Sequence, residues 1–176
     1  MQNLFLSLFL FASFSSSVFG DCTWPNSTDT ANHWWQNPSS IFTIYSLTTT
    51  NEQSQQEYPI HLGAPLVAVL NATNTGPVIS QLQEDIALAE WDPNNCKWNT
   101  LPTFGLLNNL NGCTNGIACP IPQGNQVLKV TIDFSKFQAI IGLLKNDAPY
   151  QLQITLTNKA TGDKIVVTAQ ARAEIH

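Results

Sequence analysis

Apolar and polar residues alternate through three long runs in the second half of the chain, and this period of two constrains the fold more than any other feature. Between Val127 and Phe134, Leu128, Val130, Ile132 and Phe134 fall on one side, and Lys129, Thr131 and Asp133 on the other. Between Tyr150 and Thr157, Tyr150, Leu152, Ile154 and Leu156 oppose Gln151, Gln153, Thr155 and Thr157. In the last run Ile165, Val167, Ala169 and Ala171 oppose Val166, Thr168, Gln170 and Arg172. Successive side chains of a strand point to opposite faces. Each run therefore reads as a strand with one buried and one wet face, the pattern of antiparallel sheets.

Less regular strands precede them at Ile41 to Leu47, Leu66 to Asn71, Val78 to Leu88 and Trp98 to Phe104. Turn chemistry separates the runs at Asn74-Thr75-Gly76-Pro77, Asp92-Pro93-Asn94-Asn95, Pro122-Gln123-Gly124-Asn125 and Thr161-Gly162-Asp163. About seven short strands spaced by such turns predict an all-β chain folded as a β-sandwich. Phe137 to Lys145, with Ile140, Ile141 and Leu144 at helical spacing, is the one helical turn expected.

The 176 residues hold 43% hydrophobic and 10% aromatic side chains, enough to drive collapse, and that excludes disorder. Only 11% are charged, against roughly a quarter in an ordinary soluble domain, so Asn, Gln, Thr and Ser must wet the surface. Leu4 to Phe14 is an apolar run shorter than the roughly 20 residues that span a bilayer, and Ser15, Ser16, Ser17, Val18, Phe19 and Gly20 follow with small residues at the places a signal peptidase needs. Residues 1–20 read as a signal peptide cleaved after Gly20, leaving one exported domain over 21–176. Its four cysteines read as two disulfides. Of three possible pairings, Cys113 with Cys119 closes a short turn-rich loop around Gly116, and Cys22 with Cys96 follows by elimination. Asn26-Ser27-Thr28 and Asn71-Ala72-Thr73 are glycosylation sequons consistent with that route, whereas Asn37-Pro38-Ser39 is excluded by its proline.

Charge is uneven: residues 21–96 carry eight carboxylates and no Lys or Arg, and residues 97–176 carry all seven cations. A net charge of -5 without a basic run excludes nucleic acid as a partner. The later cations read first as a solvated face, with an anionic membrane surface as the alternative, reached through residues such as Lys136 and Lys145. There is no nucleophile elbow, zinc-protease, phosphate-loop or dinucleotide motif, and His33, His61 and His176 have no metal-ligand spacing. Adjacent Glu84 and Asp85 would point to opposite sides of a strand. No catalysis, metal or cofactor is expected.

The segment Asn111-Gly112-Cys113-Thr114-Asn115-Gly116-Ile117-Ala118-Cys119-Pro120-Ile121-Pro122-Gln123-Gly124 leads straight into the alternating run at Val127. It resembles the GCxxGxxCPI...G signature of the ML family of lipid-recognition domains, to which Niemann-Pick C sterol carriers, group-two mite allergens and ganglioside activators belong. The order of an early cysteine, strands, this loop and three amphipathic strands matches too. The resemblance implies an immunoglobulin-like β-sandwich of two antiparallel sheets with an apolar cavity between them, holding a sterol, fatty acid or glycolipid. It also implies transient membrane contact and a secreted, extracellular or endosomal and lysosomal location. Burial contributes about 0.8 kcal/mol per methylene, so a sixteen-carbon chain gains roughly 12 kcal/mol before costs. The chain departs from the family in having no cysteine after Cys119, which ties Cys22 to Cys96, and in its long stretch from Thr28 to Tyr58.

Candidate cavity walls are Leu66, Ala68 and Leu70, then Leu82, Ile86 and Leu88, then Leu128, Val130, Ile132 and Phe134, then Leu152, Ile154 and Leu156, then Ile165 and Val167. For each one separately, plain core packing is the alternative. Phe104, Leu106, Leu107 and Leu110 lie among turn-forming Asn and Gly, as a cavity mouth or as a loop folded over the sandwich end. Trp34 and Trp35 cannot both face inward if extended. The rival to a lipid carrier is an immunoglobulin-like interaction module with a filled core and a protein partner.

Overall fold

The alternating runs pair into two sheets in a computed structural model that describes residues 22–175; the expected cleavage after Gly20 lies outside the described residues. In chain order the strands are β1 His33–Gln36, β2 Phe42–Thr50, β3 Ile60–His61, β4 Leu66–Asn74, β5 Leu82–Asp92, β6 Lys97–Thr100, β7 Leu110–Asn111, β8 Gly124–Ile132, β9 Ala148–Asn158 and β10 Lys164–Glu174. A single helical turn, α1 Gln138–Ile141, follows a 3-10 turn at Phe134–Phe137. The larger sheet runs β1-β10-β9-β5-β6, with β3 beside β10 and β7 beside β5, and the smaller runs β2-β4-β8. Pairing is antiparallel throughout, except that β3 runs parallel to β10 at Ala173 and Glu174. The chain is an all-β sandwich of two antiparallel sheets.

Local chemistry sets several boundaries. The segment from Val78 to Gln81 is not a strand as expected: Pro77 cannot donate to a ladder, and Ile79 makes an isolated bridge with Ile121 before β5 begins at Leu82. The run from Trp98 also ends at Thr100, short of Pro102. At the end of β8 the Asp133 carboxylate accepts the Ser135 amide at 3.1 Å and caps the 3-10 turn, which takes Phe134 out of the strand. The helical turn is shorter than the expected Phe137 to Lys145.

Both disulfides pair as the spacing required, Cys22 with Cys96 and Cys113 with Cys119. The first ties the N-terminal segment to the β5–β6 hairpin, where Trp91 and Trp98 meet edge to face at 5.1 Å and the Trp91 indole donates to the Cys22 carbonyl. From there the segment crosses the outer face of the larger sheet. Trp24 stacks under the Arg172 guanidinium at 5.1 Å, and Asn26 Nδ2 donates to Gln170 Oε1 at 2.6 Å. Gln170 is buried beneath this contact and Thr168 is buried as well, so this outer face is not wet along its whole length, as alternation alone had suggested. Trp34 packs inward and Trp35 stands exposed beside His33.

The second disulfide closes a loop that bridges the sheets. The Gly112 amide donates to Leu82 of β5 at 2.9 Å, and the Gly116 carbonyl accepts from Thr131 of β8 at 3.1 Å. Gly116 sits at φ +106, and a Cβ there would lie 1.8 Å from the Thr131 carbonyl oxygen. Only glycine lets the loop dock so closely.

Candidate functional site

Two apolar clusters hold the sheets together, and they sit toward opposite ends of the sandwich. Phe42, Leu70, Ile79, Leu82, Ile121 and Ile165 belong to the first; Ile60, Leu62, Leu66, Leu88, Leu107 and Ile140 belong to the second. The inner faces do not fill the space between them. A cavity of about 150 Å³ remains, with an almost wholly apolar wall.

The central strand of the larger sheet shows this most directly. Leu152, Ile154 and Leu156 of β9 point inward and have a paired strand on either side, yet each is only partly buried. In a sandwich packed to normal density, inward residues of a central strand are covered by the facing sheet. Leu128, Val130 and Ile132 across the gap are likewise only partly buried. Both sets face the cavity.

Of the positions expected on its wall, Leu66, Ala68, Leu70, Leu88, Leu128, Val130, Ile132, Phe134, Leu152, Ile154, Leu156, Ile165 and Val167 line it. Leu82 and Ile86 point inward but are consumed in the two clusters, outside the cavity wall. Phe104 is 75% exposed and outside the wall; it belongs to a loop folded along the β5 edge, where the Leu107 carbonyl accepts the Ile86 amide at 2.8 Å. Ile60, Leu62, Phe137, Ile140 and Leu144 line the cavity without having been expected there, and Leu107, expected at a cavity mouth or in a loop over the sandwich end, lines it too. Ile60 and Leu62 come from a short segment without a period, and Phe137, Ile140 and Leu144 from the helical segment after β8, whose spacing marks a face without saying what it meets.

Polar lining is sparse, comprising Asn32, Thr49, Glu84 and Tyr150. Tyr150 is already satisfied, since its hydroxyl accepts the Lys145 amide at 2.6 Å and donates to the Lys145 carbonyl at 2.9 Å. Burial pushes its phenol up to about 12, outweighing the lowering by the Lys145 amide. A phenol held protonated in the folded state gives stability that is intact below pH 10 and lost as pH rises toward 12, about 2–3 kcal/mol over that span. Tyr150→Phe is expected to flatten this part of the pH–stability curve, measured by urea unfolding at pH 9 and pH 11.5. An unchanged fall between those pH values would contradict the assignment.

Glu84 points inward and Asp85 outward, as adjacent strand positions must. Asp85 accepts the Asn109 amide at 2.8 Å and the Gln83 side chain at 2.9 Å, and these bonds hold its pKa below the usual range. Glu84 is only 3% exposed, and burial raises its pKa against the lowering effect of one hydrogen bond, from Asn115 Nδ2 at 2.6 Å. A carboxyl whose folded pKa is raised loses its contribution to stability as pH rises through that pKa, so at neutral pH Glu84 is a cost to the fold. The buried Nδ2 of Asn32 has no hydrogen-bond partner.

Outside the cavity, Phe104, Leu106 and Leu143 stand exposed, while Leu107 and Ile140, from the same two segments, belong to one buried cluster. The Asn71 side chain is exposed on the smaller sheet, flanked by Tyr45 and Val127, with Nδ2 donating to Ser46 Oγ at 2.6 Å. Lys136 pairs with Asp133 at 3.6 Å, and Lys145 pairs with Glu90, so both cations proposed for a membrane face already have carboxylate partners.

A scan against protein families and a search of curated proteins return no match to this chain. Among solved structures, the chain is similar to a Niemann-Pick type C2 protein from Japanese carpenter ant. The TM-score is 0.48 at 12% identity, over 81% of this chain and 99% of that one.

Proposed function

We propose that the chain is an exported or lumenal lipid-binding and lipid-transfer protein that holds a sterol, fatty acyl chain or glycolipid between its sheets without converting it. The observation that carries this reading is the partial burial of Leu152, Ile154 and Leu156 on the inner face of a central strand, in front of an apolar cavity. The resemblance of the Cys113 to Cys119 loop to the ML family supports it. So do the two disulfides, which belong to an oxidising compartment. Against this, an interaction module with a filled core would have no use for such a gap.

A dry cavity of roughly this volume takes a benzene-sized molecule. A sterol or a long chain needs more, so loading separates the sheets. The lip of Phe104, Leu106 and Leu143 would meet the membrane during exchange, since exposed apolar patches mark such contacts. Glycans on Asn26 and Asn71 belong to the same proposal. Titrating delipidated protein with fluorescent sterol, fatty acid and glycolipid should give saturable one-site binding for at least one class. Failure with all three would sink the proposal.

A further inference from the structure

Strand β5 places a carboxyl between two apolar inward residues. Leu82 belongs to one cluster and Ile86 to the other, and Glu84 falls between them, at the waist of the sandwich. It is almost fully buried and lines the cavity. Asn115 is its one hydrogen-bond partner among the described residues, and the donation goes to a single oxygen, Oε2. The Asn115 loop is itself held by the Cys113–Cys119 disulfide and by the close seat of Gly116 on Thr131. The carboxyl is therefore positioned, with hydrogen-bonding capacity in hand.

No Lys, Arg or His occurs among the described residues of the cavity wall. Asn32, the other polar group without a full set of partners, lies far along the strands: β1 and β10 place it beyond the Gln170 level, whereas Glu84 sits at the level of Leu156 and Ile165. At about 3.3 Å per residue that separation is roughly 20 Å, too far to share one headgroup with Glu84.

We propose that Glu84 reads the ligand's headgroup and makes the cavity select lipids ending in an uncharged hydroxyl over fatty-acid anions. This rests on the lipid-container reading above. A hydroxyl donates to a carboxylate or accepts from a carboxylic acid, so it suits Glu84 in either state. A second carboxylate would bring like charges together in an apolar space with no cation to offset them, and one of the two would have to take up a proton. Glu84, retained where burial makes it costly, finds a use in this discrimination.

The test uses the mature protein, delipidated, with a fluorescent hydrocarbon as probe and hexadecanol or palmitate as competitors at pH 7.4. Wild type should release the probe at a hexadecanol concentration about tenfold or more below that of palmitate, equivalent to one pKd unit. Glu84→Gln keeps an acceptor for Asn115 and removes the charge, so the gap should close to about threefold or less. Glu84→Leu should lose the preference for hexadecanol altogether. Equal displacement by the two competitors in wild type, or a gap that survives both variants, overturns the inference while saturable probe binding leaves the container intact. No probe binding at all overturns both together.

Discussion

Ala169→Phe is expected to weaken lipid binding about a hundredfold while leaving the protein at least as stable as wild type. Ala169 lies on the inner face of β10, between Trp34 of β1 and Leu152 of β9, and its side chain borders the cavity. A phenyl ring is about the size of the molecule that a dry cavity of roughly 150 Å³ accepts, so it would enter empty space. In a filled core the same change is an overpacking mutation costing about 1–3 kcal/mol. A ring that displaces four methylenes of ligand removes about 3 kcal/mol of transfer energy, which is the hundredfold loss. Ala87→Phe, at an exposed position on the other face of the same sheet, is the control and should leave both affinity and stability within about 0.5 kcal/mol of wild type. Calorimetric melting beside a ligand titration separates the cases. A destabilised Ala169→Phe with unaltered binding would mean that the gap between the sheets is not where ligand goes.

Removing the Cys22–Cys96 disulfide should have the largest effect on stability. The bond spans 74 residues, and in the chain-entropy model closing such a loop is worth about 4.5 kcal/mol, against about 2.4 kcal/mol for the Cys113–Cys119 loop of separation 6. At about 2–4 °C per kcal/mol for a domain of this size, the double variant Cys22→Ser, Cys96→Ser should melt roughly 10–18 °C lower, and Cys113→Ser, Cys119→Ser roughly 5–10 °C lower. The former also frees Trp24 and Asn26 from the outer face of the larger sheet, exposing Gln170. Because that segment lies on the opposite side of the sheet from the cavity, affinity well below the melting point should not change. Removal of the short loop is the reverse case: a smaller loss of stability, with binding altered because Asn115 no longer holds Glu84. Equal melting shifts for the two variants would show that loop length is not what sets their contributions.

Alternation placed the inward faces of β4, β8, β9 and β10 correctly, because a period of two survives wherever one face of a regular strand is buried. It failed where tertiary contacts overrode it. Thr168 and Gln170 read as wet but are buried, and Gln170 lies under the N-terminal segment, a contact drawn together by a disulfide spanning 74 residues rather than by anything local. Val78 to Gln81 had strand composition, yet Pro77 and the single Ile79–Ile121 bridge leave it outside the ladders. At the site, Leu82 and Ile86 shared the inward period with Leu88, but period reports burial and not what fills the space in front of a residue. Glu84 was legible as inward by the same count, and its charge was the signal that it deserved a separate reading. Ile60 carried no such signal, being an isolated apolar residue in a short segment; Leu107 and Ile140 stood out as members of an apolar loop and of a helical turn, but what they pack against is set by the fold.

Native mass spectrometry of the protein secreted from eukaryotic cells, after enzymatic deglycosylation, bears most directly on the lipid-container account. The expected spectrum contains a lipid adduct that disappears on organic extraction, is recovered in the extract as a hydroxyl-ended lipid, and is missing from Ala169→Phe purified alongside. A wild-type spectrum with the bare polypeptide mass alone, unchanged after incubation with sterol, fatty acid or glycolipid, would contradict it.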